Sequence, residues 1–400
     1  MNQARFVQFI LLGVLTIFSS FTYAQEVIEV NNQPNSPIIL NNIPLNLKNP
    51  APHIASPNWI AVDFDSKTII GGRNIDAKIY PASMTKVLTA YIIFEALENG
   101  RLSKDQKVST VKNIEGSTMF LNDNDQVSIN DLMWGMIVQS GNDASINLAL
   151  ALSGTEERFA EEMNKAAQKL GMQNSHFVNA SGLPDDNHYT TLYDMAVLAI
   201  ALIRDFPQYY PIYSEKTYTY NKVTQNNRNA LLFRDIGVDG IKTGHTNAAG
   251  YCLMTSVIRG ERRIITITAK AKTEKERFTD NEKIINYVYN QTENVKLYNA
   301  REIVDSLRVW KGDQDYIKIG VDSPLFITLA KGQKNDLNAQ ISYQQPIISP
   351  IASGDKIAIV KISLGQRQYA KYYLVSLENV ENAAWFRMLW HNILLLFNSK

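Results

Sequence analysis

The stretch YPASMTKVLTAYIIFEALENG, residues 80–100, decides how the rest of the chain is read. Proline at 81 pushes the residue before it out of the α region, so a helix beginning just after it is sterically natural. From Met84 the apolar residues Val87, Leu88, Tyr91, Ile92 and Leu97 recur at helical spacing, and Gly100 is placed to end that helix. Ser83 then sits at the positive end of the backbone dipole. Lys86 lies one turn on and on the same face, with Cβ atoms about 5–6 Å apart. A neutral lysine there could take the serine proton, but neutrality near pH 7 costs roughly 3–5 kcal/mol, which burial or a second cation must supply. The spacing alone decides nothing. It recurs at Ser109…Lys112 and Ser353…Lys356, and by itself S-x-x-K is better read as an N-cap serine beside a solvated lysine.

Two further groups carry chemistry. In VQSGNDASINLAL, Ser140, Gly141 and Asn142 stand between two helical runs, where a hydroxyl and an amide can relay a proton and hold a substrate carbonyl. A helix-capping loop has the same composition, and S-x-N recurs at Ser56, Ser128 and Ser145. In DGIKTGHTNAAGYCL, Lys242, Thr243 and Gly244 end a strand; the glycine would let a substrate backbone approach, and the lysine brings a charge that attracts a carboxylate and depresses the pKa of Lys86. K-T-G occurs nowhere else in the chain. As a solitary tripeptide it also fits a turn.

Outward from these groups the pattern divides the chain. WIAVDFDSKTIIGGRN alternates like a hairpin, a long helical region follows, and strands return at VDGIKTG, GYCLMTSVIRGE and RRIITITAKA. That order describes an α/β or α+β domain over residues 56–293, whose sheet is completed by distant segments and brings the early helix beside the late strand. Residues 294–378 alternate in short runs between turns and read as a small all-β sandwich.

Together, S-x-x-K on a helix N-terminus, S-G-N on an inter-helix loop and K-T-G on a strand, in that order, mark penicillin-binding proteins and class A β-lactamases. The chain resembles the low-molecular-mass D-alanyl-D-alanine carboxypeptidases. PASMTKVLTAY, QSGNDA, HFVNASGLPDDNHYTTLYDMAVLA and DGIKTGHTNAAGYCL all look like text of that family, across about residues 58 to 290. The resemblance implies a β-lactamase/transpeptidase-like catalytic domain with a central sheet flanked by helices. It also implies roles: Ser83 as nucleophile on a peptidoglycan stem peptide, Lys86 as general base, and Ser140 as relay to the departing amine. Asn142 would position the substrate amide. Lys242 and Thr243, with Arg277, would grip the terminal carboxylate, and the backbone N–H groups of Ser83 and His245 would form the oxyanion hole. β-Lactams would acylate Ser83. No metal or other cofactor is implied.

Rival readings are a β-lactamase or an endopeptidase on the same fold, and a cell-wall-binding protein without turnover. A class A β-lactamase needs a deacylating glutamate in an irregular loop, whereas Glu161 to Asn164 lie in a helical run. No G-x-S sequence exists for a hydrolase elbow, and a Ser-His-Asp triad through His188 or His245 has only compatible spacing in its favour.

The ends and the composition concern location. MNQARFVQFILLGVLTIFSSFTYAQE places Arg5 before a short apolar run and a small-residue exit at Ala24, which reads as a secretory signal over residues 1–24; an uncleaved anchor is the alternative. Residues 25–55, rich in Asn and Pro, read as an irregular lead-in. Lys+Arg 40 against Asp+Glu 39 leaves no basic block for nucleic acid, and the lone Cys252 reads as a core residue. Wound as a helix, residues 379–400 gather Arg387, His391 and Asn398 on one stripe, with Phe386, Leu389, Trp390, Ile393 and Phe397 on the other side. Such a helix is too short to span a bilayer and is expected to lie in its interface, tethering an exported enzyme to the periplasmic face of the inner membrane; a helix docked on the β module or on a dimer partner is the alternative.

Overall fold

The computed structural model describes residues 27–28, 34, 36–112 and 115–398. The expected leader, residues 1–24, lies outside them, as does part of the lead-in.

β1 (Asn58–Asp63) and β2 (Ile69–Arg73) form the expected hairpin. The chain then makes a 3-10 turn over Ala82–Thr85, so the regular helix α1 (Lys86–Glu98) starts at Lys86 rather than at Met84. Every residue from Lys86 to Phe94 is buried, which makes α1 a central helix packed on all sides. Two short hairpins, β3 (Lys107–Ser109) with β4 (Gln126–Ser128) and β5 (Thr217–Tyr220) with β6 (Val223–Asn226), flank four helices: α2 (Ile129–Ile137), α3 (Asn142–Ser153), α4 (Glu156–Leu170) and α5 (Leu192–Asp205). Side-chain oxygens of Ser128, Thr155 and Thr191 accept backbone N–H groups at the starts of α2, α4 and α5.

The strands β7 (Val238–Thr246), β8 (Gly250–Arg259) and β9 (Arg262–Ala271) then join the first hairpin in an antiparallel sheet of order β2-β1-β9-β8-β7. α6 (Glu274–Gln291), begun by a Thr273–Glu276 capping box, covers one face. On that face Trp59, Ala61, Leu253 and Val257 meet Phe278, Ile284, Ile285 and Val288; on the other, Ile60, Val62, Ile265 and Ile267 join the core of α1 and α5. Alternation along each strand thus serves two cores. The sheet puts β7, the last strand, at its edge beside the turn that precedes α1.

The second region is all β: β10 (Thr292–Tyr298), β11 (Ile303–Trp310), β12 (Tyr316–Gly320), β13 (Leu325–Ala330), β14 (Leu337–Tyr343), β15 (Ile347–Ile348), β16 (Lys356–Leu364) and β17 (Arg367–Ser376). β10 pairs with β13, the other six form a sheet of order β14-β16-β17-β12-β11-β15, and the two layers share one apolar core. A polar network joins the two regions. The fully buried Asp63 accepts from Arg262 Nε at 2.8 Å and from Asn294 Nδ2 at 2.7 Å, while Ser66 Oγ lies 2.7 Å from Thr328 Oγ1. The lead-in adds a strap: Ile38 N–H donates to Leu170 O on α4, and Ile28 pairs with Tyr372 on β17.

α7 (Trp385–Asn398) rests on the β region through its polar stripe. Arg387 donates to Asp315 at 2.8 Å, and the buried His391 accepts the Lys311 N–H through Nδ1 at 2.6 Å. The side chain of Asn398 lies outside the described residues. Trp385, Phe386, Leu396 and Phe397 are 63–78% exposed. The helix is docked with its apolar side outward. Among the described residues no helix is long and apolar enough to cross a membrane.

Candidate active site

The 3-10 turn sets Ser83 half-exposed while burying Ala82, Met84 and Thr85 around it. Ala82 holds a left-handed φ of 48°, a strained value for a residue with a Cβ. Thr85 Oγ1 lies 2.8 Å from His188 Nε2, and the Val178 N–H donates to Nδ1, so His188 is the Nε2–H tautomer and donates to Thr85. Burial pulls the pKa of His188 down to about 4, keeping it neutral. Bonded to Thr85, it forms no triad with Ser83.

Lys86 is 1% exposed. Its Nζ lies 3.0 Å from Ser83 Oγ, 2.7 Å from Asn142 Oδ1 and 2.7 Å from the main-chain oxygen of Ser181. A neutral amine has two hydrogens and one lone pair. Asn142 and Ser181 present acceptors only, so they take both hydrogens and leave the lone pair for the Ser83 hydroxyl. Burial first, then the charge of Arg228, lowers the pKa of Lys86 to about 7, against the opposing pull of Asp143. Arg228 is therefore a cation acting on Lys86 that the sequence did not announce, beside the buried Lys242, whose charge and that of Lys86 oppose each other.

Lys242 is likewise buried, and its Nζ donates to Ser140 Oγ at 2.8 Å. Burial, with the charges of Lys86, Arg228 and Arg277, holds its pKa well below the usual lysine range. Ser140 adopts φ 62° in the turn between α2 and α3, and Asn142 opens α3. Both ends of the Asn142 amide are engaged, Oδ1 by Lys86 and Nδ2 by Glu115 O at 2.8 Å, while its N–H donates to Ser117 O. Asp143 accepts the Met119 and Leu121 N–H groups and so folds the segment 115–121 against α3.

K-T-G does not end its strand: β7 runs on through His245 to Thr246. A Cβ on Gly244 would come within 2.8 Å of Pro81 O and 3.3 Å of Ala82 Cβ. The glycine thus admits the nucleophile turn of the protein itself, where the sequence suggested the approach of a substrate backbone. His245 is exposed, its ring stacked on Tyr251 at 4.0 Å. Arg277, in the first turn of α6, is 4% exposed. One Nη pairs with Glu274 at 2.5 Å, the guanidinium lies 5.4 Å from the Tyr251 ring, and its buried Nε has no partner among the described residues.

The structure therefore forms two hydrogen-bonded sets, Ser83 and Asn142 on Lys86 and Ser140 on Lys242, with Thr243, Gly244 and His245 on the strand that carries Lys242. Reading the sequence missed Ser181, Asp143, Glu115 and Arg228. Ser181 and Glu115 act through main-chain oxygens, which no residue letter announces. Glu161 to Asn164 lie within α4, where Glu162 pairs with Arg101 at 2.9 Å. Among the described residues no group of side chains could hold a metal ion.

Comparison with known proteins bears on this geometry. A family model described as D-alanyl-D-alanine carboxypeptidase matches residues 46–273, and one described as penicillin-binding protein 5, C-terminal domain, matches residues 293–382. The chain is 35% identical over 359 residues to the D-alanyl-D-alanine carboxypeptidase DacC of Escherichia coli K12, covering 87% of this chain and 90% of that one. Its fold matches the crystal structure of penicillin binding protein 5 from Haemophilus influenzae with a TM-score of 0.81 at 35% identity, over 84% of this chain and all of that one. It also matches penicillin-binding protein D2 from Listeria monocytogenes, solved in a cefotaxime-bound form, with a TM-score of 0.56 at 32% identity, over 60% of this chain and 99% of that one.

Proposed function

The chain belongs to the D-alanyl-D-alanine carboxypeptidase family of serine peptidases, and from that premise we propose how its own residues perform the reaction. The protein is a serine-type D-Ala-D-Ala carboxypeptidase of the penicillin-binding class, acting on peptidoglycan. Ser83 Oγ attacks the carbonyl between the two D-alanines while its proton passes to the lone pair of Lys86. Backbone N–H groups of Ser83 and His245 stabilise the oxyanion, each donor worth about 2.7–4 kcal/mol. As the C–N bond breaks, the departing amine takes a proton through Ser140, which Lys242 orients. Lys242, Thr243 and the unpartnered Nε of Arg277 hold the carboxylate of the leaving D-alanine, and Asn142 positions the substrate amide. Water then hydrolyses the ester on Ser83. β-Lactams acylate Ser83 by the same attack, their ring carbonyl taking the place of the scissile one.

One observation carries this assignment: a buried lysine whose two amine hydrogens are taken by carbonyl oxygens lies 3.0 Å from the serine hydroxyl. The test is release of D-alanine from diacetyl-Lys-D-Ala-D-Ala, with Ser83→Ala as control, alongside covalent labelling by a fluorescent penicillin. No release and no labelling by the wild-type protein would leave the wall-binding reading in its place. A cross-linked peptide offered as second substrate separates carboxypeptidase from endopeptidase preference.

We further propose that the protein is exported, its leader being residues 1–24, and that it is held peripherally at the periplasmic face of the inner membrane by α7. In this division residues 56–293 form the catalytic domain, 294–378 the β domain and 379–400 the membrane-associating segment. Supporting this, Arg387 and His391 face the β domain while Trp385, Trp390 and Phe397 are 58–78% exposed. Sedimentation with anionic liposomes tests it: the full chain should pellet and a chain lacking residues 380–400 should not.

A further inference from the structure

The carbonyl of Ser181 that takes one amine hydrogen of Lys86 belongs to a short turn, residues 179–183, outside the three motifs of the reaction. Asn179 organises that turn. Its Oδ1 accepts the N–H groups of Ser181, Gly182 and Leu183 at 3.3, 2.7 and 3.1 Å, and its Nδ2 donates to Leu183 O at 3.0 Å. One side chain thereby binds successive backbone groups and folds them around Gly182, whose φ of 86° suits a glycine. A Cβ at that position would run into Ala82 O, so the turn lies directly on the one that carries the nucleophile.

Further bonds fasten the turn to the elements around the reacting groups. Thr89, three residues after Lys86 on α1, donates from Oγ1 to Ala180 O at 2.7 Å. Glu156, at the start of α4, accepts the Ala180 N–H at 2.9 Å. His188 takes the Val178 N–H on Nδ1 at 3.3 Å and gives its Nε2–H to Thr85 at 2.8 Å. Ala180, Ser181 and Lys86 are all buried. The turn is therefore a wall of the space that encloses the amine as well as a bonding partner to it.

We propose that Asn179 is a positioning residue for the proton transfer from Ser83: it holds Ser181 O on Lys86 and keeps water from that nitrogen. The inference rests on the carboxypeptidase reading above, in which Lys86 is the base. Two effects compete when the turn loosens. Loss of an acceptor favours the neutral amine, because a carbonyl binds the ammonium more strongly. Water reaching the nitrogen favours the ammonium, and this effect is the larger, since burial is the first cause of the low pKa of Lys86. The charged groups that act on Lys86, namely Asp143 from α3, Lys242 from β7 and Arg228, are unchanged by substitution at 179, as is the neutral His188.

The experiment follows acylation by a fluorescent penicillin as a second-order rate from pH 5.5 to 9.5, for the wild-type protein and for Asn179→Ala. The midpoint should move up by about one pH unit, taking the neutral fraction at pH 7 from roughly a half to roughly a tenth. The rate then falls about fivefold at pH 7 and less than about twofold at pH 9. Thr89→Val removes the bond to Ala180 O alone and should move the midpoint the same way by about half a unit, so the test stands even where Asn179→Ala does not fold. A midpoint that stays in place, whether the rate falls evenly at every pH or does not fall at all, overturns the positioning role. Wild-type protein that takes no label at any pH overturns the carboxypeptidase reading, and this inference with it.

Discussion

The lysine beside the nucleophile makes a quantitative demand on pH. With the pKa of Lys86 lowered to about 7 by burial and by Arg228, the amine is neutral in roughly half of the molecules at pH 7 and in roughly a tenth at pH 6. Acylation of Ser83 by a labelled penicillin, followed as a second-order rate from pH 5.5 to 9.5, should rise about tenfold between pH 6 and pH 8 and then level off. An ordinary lysine would keep the rate climbing about tenfold per pH unit through pH 9. Arg228→Gln should move the midpoint up by roughly half a pH unit, since an exposed charge acts through screened solvent. The same proton appears in stability. Between about 7 and 10.5 the unfolded chain keeps the proton that the folded Lys86 has lost, so stability rises with pH across that window, by about 1.4 kcal/mol per pH unit. Below pH 7 both states are protonated and the folded state bears the whole cost, roughly 5 kcal/mol. Subtracting the urea-unfolding profile of Lys86→Met from that of the wild type isolates this slope. A rate that still climbs above pH 8, or a flat difference profile, would refute the argument.

Other perturbations follow from single contacts. Gly244→Ala sets a methyl within 2.8 Å of Pro81 O, so β7 and the nucleophile turn must part; acylation should fall about 100-fold with a stability loss of about 1–3 kcal/mol, read by penicillin labelling and thermal melting. Gly135→Ala would place its Cβ 2.2 Å from Sδ of the buried Met119, displacing the segment whose Glu115 and Ser117 carbonyls hold Asn142; D-alanine release should drop at least about tenfold while thermal melting changes little. Asp63→Ala leaves the Arg262 guanidinium without its carboxylate at the junction and should cost about 3–5 kcal/mol in urea unfolding.

What the sequence made legible was periodic or local. Ser83 and Lys86 share a helix face at a fixed offset, and Thr243 and Gly244 are read from strand position, so both groups could be named before any coordinates. The junction of those groups could not. It depends on β7 becoming the edge strand, which is a matter of sheet order, and on Gly244 meeting a carbonyl from far earlier in the chain. Main-chain acceptors are invisible for a different reason: Ser181 holds Lys86 through its peptide oxygen, and any residue could supply one. Helical spacing marks the apolar residues of α1 but not its enclosure on all sides, in which Thr89 buries its hydroxyl by donating to Ala180 O and the preceding Thr85 buries its own against His188. At α7 the two faces were separated correctly by angle, but angle does not say which one meets protein.

The arrangement around Lys86 also limits what chemistry can replace it. Two carbonyl oxygens and one hydroxyl surround a nitrogen that must supply two hydrogens and still retain an electron pair. An imidazole offers one hydrogen and one pair in a plane, and a guanidinium offers no pair at all. Only a tetrahedral primary amine satisfies that count, so the position tolerates a lengthened or sulfur-interrupted arm ending in such an amine far better than any other basic amino acid of the genetic code.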